Sequence, residues 1–325
     1  AAHLPPDAPV TRLAPSPTGG LHLGNAFAFL INWAMARKHG WRIVLRIEDL
    51  DRSRVKPGGT RSTIRTLEWL GLDWDSGPTT QADDSTRYRQ AMQTLAEHGL
   101  VYPCRLTRSQ IQEAASAPHP PQSPADGPPH ETRFDPALRP SLRPDSFNDT
   151  GANWRFVVEP GETGFIDRHM GPQRFDIDAI SGDFVVWTKR AAPSYQLAVV
   201  VDDALAGVNR VVRGNDLLDS AARQLLLYRA LSLGPEPEYF HLPLIRGPDG
   251  HRLAKRHGDT RIESLANRDA GPGPERVIGL IARWCGITPK RTPMSAAEFL
   301  DGFSLDRLGT DDIVFTPEDN AWLSS

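Results

Sequence analysis

The sequence predicts an α/β fold: a Rossmann-like, doubly wound parallel sheet split by an inserted α+β module and followed by a short, mostly helical C-terminal region. Strand-like and helix-like segments alternate over roughly the first hundred residues. A Pro- and Gly-rich stretch then interrupts the alternation, and it resumes near Tyr195. These observations divide the chain into 1–101 (first half of the sheet), 102–193 (insertion with a Pro-rich loop), 194–246 (second half) and 247–325 (a Gly-bounded loop and the helical tail).

Taken in order, Val10 to Ala14 reads as a strand, and Pro15-Ser16-Pro17-Thr18-Gly19-Gly20 as a loop that can be neither helix nor ladder. Ala26 to His39 is a helix with Phe27, Leu30, Ile31 and Ala34 on one face, stopped by Gly40. Arg42 to Ile47 alternates like a strand and ends in Glu48-Asp49-Leu50-Asp51. Thr60 to Leu70 and Thr86 to His98 are amphipathic helices, each closed by a glycine. Nine of the 29 prolines fall between Pro118 and Pro144, which predicts a surface insertion. Strand-like pieces follow from Trp154 to Trp187. The apolar run Gln196 to Val201 predicts a strand buried on both faces. Val208 to Val212 is a strand, Ser220 to Leu233 a helix, His241 to Ile245 a strand, and the tail from Pro274 is partly helical.

Composition narrows the function classes. The chain has 325 residues, 39% hydrophobic and 24% charged, so it can bury a sizeable core. A net charge of -3 argues against a nucleic-acid coat, and any RNA contact must be a local patch. Cys104 and Cys285, the two cysteines, exclude a disulfide scaffold and a four-cysteine zinc site and fit a reducing cytoplasm. The first residues lack the basic-then-apolar layout of a signal peptide, and no apolar run of about 18 residues exists to span a membrane, so a cytoplasmic protein is expected. Of 37 basic residues five are lysines, so a lysine in a glycine-bounded loop stands out.

Three segments carry candidate chemistry. Ser16 to Asn25 lies between a strand and a helix, where unpaired N–H groups, glycines and His22 suit phosphate; a proline-bent loop capped by Asn25 would look the same. Arg46-Ile47-Glu48-Asp49-Leu50-Asp51 puts carboxylates at a strand's carboxyl end, where they could hold an ammonium or form a solvated turn. Gly250 to Asp259 carries Lys255, Arg256 and two imidazoles in a loop suited to polyphosphate or to plain solvent exposure.

Together, and in this order, these segments resemble the glutamyl-tRNA synthetase group of class I aminoacyl-tRNA synthetases. His22-Leu23-Gly24-Asn25, preceded by Arg12-Leu13-Ala14-Pro15-Ser16-Pro17-Thr18-Gly19, matches the first class I signature. Leu253-Ala254-Lys255-Arg256 matches the second, and Arg46 to Asp49 and Leu72 to Asp75 fall where the group has them. Tyr195 to Asp203 and Val212 to Leu218, with Val199 where full-length enzymes usually have Asn, are similar to the truncated glutamyl-queuosine tRNA(Asp) synthetases, which lack the anticodon-binding domain. Only about seventy residues follow Lys255, too few for anticodon-reading helices.

The resemblance implies an ATP-dependent ligase that activates glutamate and transfers it to queuosine in tRNA(Asp). It further implies activation without tRNA, with ATP and Mg²⁺ required, no membrane partner and a monomer. A glutamyl-tRNA synthetase lacking its anticodon domain and a catalytically silent RNA-binding paralogue are the alternatives. By the same resemblance glutamate is held by Arg12, Leu13, Ala14, Pro15, Ser16, Glu48, Tyr195 and Arg213. ATP is held by Thr18, Gly19, His22, Gly24, Asn25, Arg252, Leu253, Ala254, Lys255 and Arg256, with His22 and Lys255 catalytic. Members of the truncated family often carry zinc in the insertion. Here Cys104 remains, the next ligand position is Leu106, and His119 and His130 are scattered, so no zinc is expected.

Overall fold

The computed structural model describes residues 4–115, 132–251, 253, 260–266 and 273–324. The first half of the sheet is β1 (Val10–Leu13), α1 (Leu23–His39), β2 (Arg42–Ile47), α2 (Gly59–Trp69), β3 (Ser76–Thr80) and α3 (Thr86–Glu97), with β1-β2-β3 all parallel. The apolar face of α1 buries Phe27, Leu30, Ile31 and Ala34, and the helix ends at Gly40 with φ 66°, which only glycine adopts without cost. A buried polar pair fixes its height on the sheet. Asn32 donates to the carbonyl of Arg12 (2.9 Å) and accepts from Thr11 Oγ1 (2.9 Å). The Leu72–Asp75 segment ties α1 to β2. Asp73 accepts from Trp33 Nε1 (2.6 Å), and Asp75 from the Ile43 amide (2.7 Å) and Arg37 (2.8 Å).

The insertion contributes β4 (Val101–Cys104), α4 (Arg108–Ala115), β5 (Asn153–Phe156), β6 (Glu162–Asp167), β7 (Gly171–Asp176), α5 (Ile177–Ile180), β8 (Phe184–Thr188) and β9 (Ala192–Pro193). Its strands β4-β5-β8-β9 form an antiparallel sheet. The hairpin β6–β7 instead returns to the second half of the parallel sheet, so the insertion and the Rossmann core share strands. Cys104 is buried with Tyr102, Ile111, Phe134 and Val157, and Leu106 and Leu138 pack on the same cluster.

The second half comprises α6 (Tyr195–Leu205), β10 (Arg210–Gly214), α7 (Leu218–Ala230), β11 (Glu238–Leu242) and β12 (Ile245–Arg246). The expected strand Gln196 to Val201 is therefore helix. Ser194, capping its start, accepts from the Leu197 amide, and Leu197, Ala198, Val199, Val200 and Val201 are all buried. An element enclosed on every side shows no periodicity, so the apolar run carried no information about its type. β10 lies beside β1, with the Asn209 amide donating to Val10 O (3.0 Å) and the Val10 amide to Asn209 Oδ1 (2.9 Å). Strands thus run β3-β2-β1-β10-β11, and the order reverses between β1 and β10, where an open α/β sheet forms its cleft.

The tail adds α8 (Ile262–Ala266), α9 (Pro274–Trp284), α10 (Ala296–Gly302), β13 (Ile313–Val314) and α11 (Pro317–Ser324). Val277, Ile278, Leu280 and Ile281 of α9 join the main core around α1. β13 pairs with β12, and Asp312 accepts from the Leu244 amide (2.9 Å) and Asn215 Nδ2 (3.0 Å), so the tail braces the strand leading to Gly247. Among the described residues no helix is long and apolar enough to cross a membrane.

Candidate active site

A cleft of about 610 Å³ opens at the carboxyl ends of β1, β2, β10 and β11, lined among others by Arg12, Ser16, His22, Glu48, Tyr195 and Arg213. Residues from sequence positions nearly two hundred apart meet there because the strand order reverses between β1 and β10. A second, larger cleft toward the insertion shares Ser16, Glu48 and Tyr195 with it.

Behind the first cleft lies a buried ionic cluster. Asp203 accepts from Arg46 Nη1 (2.6 Å) and Arg12 Nε (3.3 Å), and Glu48 accepts from Arg46 Nη2 (3.3 Å). Burial opposes the charge on Asp203, but Arg46 and then Arg12 outweigh it and hold the carboxyl below its usual range. At Glu48 burial wins over Arg46 and Arg12, and its pKa is raised. Asp202 and Asp203 sit in the last turn of α6, the unfavourable end of a helix dipole for an anion. Their arginine partners, together with Tyr88 and Gln81 on Asp202, offset that cost.

Arg213 has a different environment. It is 6% exposed, and among the described residues its hydrogen-bond partners are all neutral: His241 Nε2 (3.0 Å), Gln224 Oε1 (2.8 Å) and the Leu217 carbonyl (3.2 Å). Arg12 is ion-paired with Asp203, whereas Arg213 makes no carboxylate hydrogen bond among the described residues and lines the same cleft as Glu48. A site with such a cation and with carboxylates, Glu48 and Asp216, on its lining can recognise a zwitterion with an extra acid group.

The other end of the cleft is the start of α1. His22 is exposed at the N-cap position, and its amide donates to Asn25 Oδ1 (3.0 Å), which holds the loop at the helix start. A Cβ placed on Gly24 would meet nothing within 4 Å, so the first turn faces open space that an anion can approach. Leu253 lines the same cleft, and Thr260 O accepts from the Leu23 amide (3.0 Å). The Ile262 amide in turn donates to Leu21 O (2.8 Å). Both flanks of 254–259 therefore meet the first signature. Arg252, Ala254, Lys255 and Arg256, and likewise His119 and His130, lie outside the described residues.

Of the other expected residues, Ala14 lines the cleft and Thr18 the larger one, whereas Leu13 is fully buried in the main core. Pro15 is buried and acts through its carbonyl, which accepts from the Glu48 amide (3.0 Å); Gly19 is an exposed loop residue. Asp203, Arg46, Gln224, His241 and Asp167 were not expected at the site. Arg46 and Asp203 stood within motifs that carry the resemblance, but their pairing across 157 residues follows only from the fold. Among the described residues no three His, Cys, Asp or Glu side chains converge as metal ligands.

Residues 9–310 match the family described as tRNA synthetases class I (E and Q), catalytic domain. The chain is 43% identical to the glutamyl-Q tRNA(Asp) synthetase of Symbiobacterium thermophilum over 96% of its own length and 98% of that protein. It is 44% identical to the one from Geobacter sulfurreducens, over 87% of each chain. The chain belongs to the glutamyl-Q tRNA(Asp) synthetases. It is an enzyme of the aminoacyl-tRNA ligase type, with ATP, an amino acid and tRNA as its classes of substrate. A glutamate–tRNA ligase from a Synechococcus strain is 39% identical over 77% of this chain but only 52% of its own length. The solved glutamate tRNA ligase of Elizabethkingia meningosepticum, in complex with its amino acid, superposes over 98% of this chain and 69% of that one (TM-score 0.77, 25% identity). The mixed α/β architecture with parallel strands is thus that of a class I synthetase core.

Proposed function

We propose that the chain activates glutamate with ATP and transfers it to the queuosine base of tRNA(Asp). The observation that carries the proposal is Arg213, a buried guanidinium with neutral partners, set across a cleft from Glu48 and beside the start of α1. Arg213 takes the side-chain carboxylate, with Arg12 reinforcing the field. Glu48 takes the ammonium, and Tyr195, Ser16 and the 12–16 backbone wall the slot. The α-carboxylate is then free to attack the α-phosphorus of ATP, and pyrophosphate departs as the glutamyl adenylate forms. Thr18, Gly19, His22, Gly24 and Asn25 serve the phosphates at the dipole's positive end. By the family resemblance Arg252, Leu253, Ala254, Lys255 and Arg256 of the second signature also serve the phosphates, Lys255 neutralising the departing pyrophosphate. Magnesium fits this site only as a companion of the nucleotide, because the described residues offer no cage of carboxylates.

In the second step a hydroxyl of the acceptor attacks the acyl carbon and AMP leaves. The larger cleft suits the acceptor: it adjoins the glutamate slot through Ser16, Glu48 and Tyr195 and carries Arg52, Arg54 and Arg190 for phosphates. We place the enzyme in the cytoplasm, where tRNA resides, and as a monomer divided at 101, 193 and 246. The test is ATP–pyrophosphate exchange with glutamate and no tRNA. Exchange is expected; exchange that appears only with tRNA would support the conventional synthetase, and none under any condition the silent paralogue.

A further inference from the structure

Arg213 is aimed by two residues that adenylate chemistry does not itself demand. Its Nε donates to His241 Nε2 (3.0 Å), and His241 Nδ1 lies 2.6 Å from Asp167 Oδ2. Neither the Asp167 nor the His241 side chain is exposed. A guanidinium can only donate, so Nε2 must offer a lone pair and the ring proton sits on Nδ1, where Asp167 accepts it. Asp167 is itself fixed: its Oδ1 takes the amides of His169 (2.9 Å) and Met170 (2.8 Å), and the His241 amide is shared between Oδ1 (3.2 Å) and Oδ2 (3.1 Å). The imidazole also stacks on Tyr239 with centroids 5.7 Å apart. Burial, aided by the charge on Arg213, lowers the His241 pKa to about 4 against the pull of Asp167, so the ring is neutral.

Neutrality at this position has a consequence. A carboxylate there would orient Arg213 equally well but cancel its charge, and the slot would then accept the amide of glutamine as readily as an acid. A histidine locked in one tautomer orients the guanidinium and leaves its charge whole. We infer that Asp167 and His241 are positioning residues that hold Arg213 across the side-chain slot and set the preference for glutamate over glutamine. The inference rests on the proposed activation of glutamate. It also gives the hairpin β6–β7 a part in amino-acid selection, since Asp167 ends β6 and pairs with Tyr239 of β11.

The test is Asp167→Asn in glutamate-dependent ATP–pyrophosphate exchange. The His169 and Met170 amides hold the carboxamide oxygen on one side, so its NH₂ faces Nδ1 and drives the ring proton to Nε2, against the N–H of Arg213. The glutamate KM should rise about tenfold or more, with ATP KM and kcat changing less than about threefold. The preference for glutamate over glutamine should fall with it. His241→Leu should behave alike, whereas His241→Gln, which restores a neutral acceptor, should recover most of the loss. Unchanged glutamate KM and preference in Asp167→Asn and His241→Leu would overturn the inference. So would a matched rise in glutamate and ATP KM with a lower Tm, the mark of a merely structural role. If Asp167→Asn does not fold, the contrast between His241→Leu and His241→Gln decides. Wild-type protein without exchange would sink the activation reading and this inference with it; active wild type with insensitive variants would sink the inference alone.

Discussion

Two buried charges in this molecule have opposite surroundings. Asp183, in the insertion, is fully buried and accepts from Arg139 Nε (2.8 Å) and Nη2 (2.8 Å), from Tyr102 (2.6 Å) and from the Val158 amide (2.8 Å). Its charge is matched within the protein, and its lone pairs are taken. Arg213 is nearly as buried, yet its partners leave its charge uncancelled and its guanidinium beside a cleft. A closed set of partners makes a buried charge a staple of the fold; an open set makes it half of a binding site. The Asp183 knot stands beside the apolar cluster around Cys104 and Leu106. Arg155 adds to it by lying over the Phe134 ring at 4.2 Å.

The largest expected effect breaks the closed set. Asp183→Ala strands Arg139 and Tyr102 and should cost about 3–5 kcal/mol, read by urea denaturation. Below its Tm the variant should keep the wild-type glutamate KM; a raised KM at full folding would dissolve the distinction between the two charges. Next comes the phosphate end. Lys255→Ala should lower kcat by roughly two orders of magnitude with the glutamate KM nearly level, because the role proposed for its charge is to neutralise the departing pyrophosphate. Steady-state kinetics in both substrates checks this.

The smallest effect is in pH. The folded-state pKa of His241 lies at about 4, below its ordinary 6.5, so between those values the unfolded chain binds a proton that the native chain refuses. Its contribution to stability is complete above about pH 6.5 and is lost as pH falls toward 4, at up to about 1.4 kcal/mol per pH unit. The groups facing the ring are Asp167 of β6, Arg213 of β10 and the stacked Tyr239 of β11. Asp167, whose own pKa is lowered, titrates beneath this window. His241→Gln should flatten the dependence of unfolding free energy on pH between 6.5 and 4; an unchanged slope would place the responsible proton elsewhere.

Much of the nucleotide end could be read from the chain alone. A strand, a proline-bent loop and a helix start occupy consecutive residues, and glycine, proline and capping preferences act over just such distances. The helix α6 could not, because an element buried on all sides carries no amphipathic pattern. Nor could the ionic cluster. Arg46 meets Asp203 and Arg213 meets His241 only after the sheet has formed, and nothing local in the strand containing His241 distinguishes its imidazole from a core residue. The motifs named residues that line one cleft, while the polar atoms packed behind it came from strands joined by the topology.

The most direct test of the account is tRNA-free ATP–pyrophosphate exchange comparing wild type with Arg213→Ala, each with glutamate and with glutamine. Wild type should exchange with glutamate and far less with glutamine. In the variant, loss of a charge-assisted grip should raise the glutamate KM about 10- to 150-fold, with the ATP KM level and the glutamate preference largely gone. Stability should fall far less than in Asp183→Ala, since the charge removed had no anionic hydrogen-bond partner among the described residues. An Arg213→Ala enzyme that raises only the ATP KM, or that still prefers glutamate as wild type does, would contradict the assignment of this guanidinium to the amino acid.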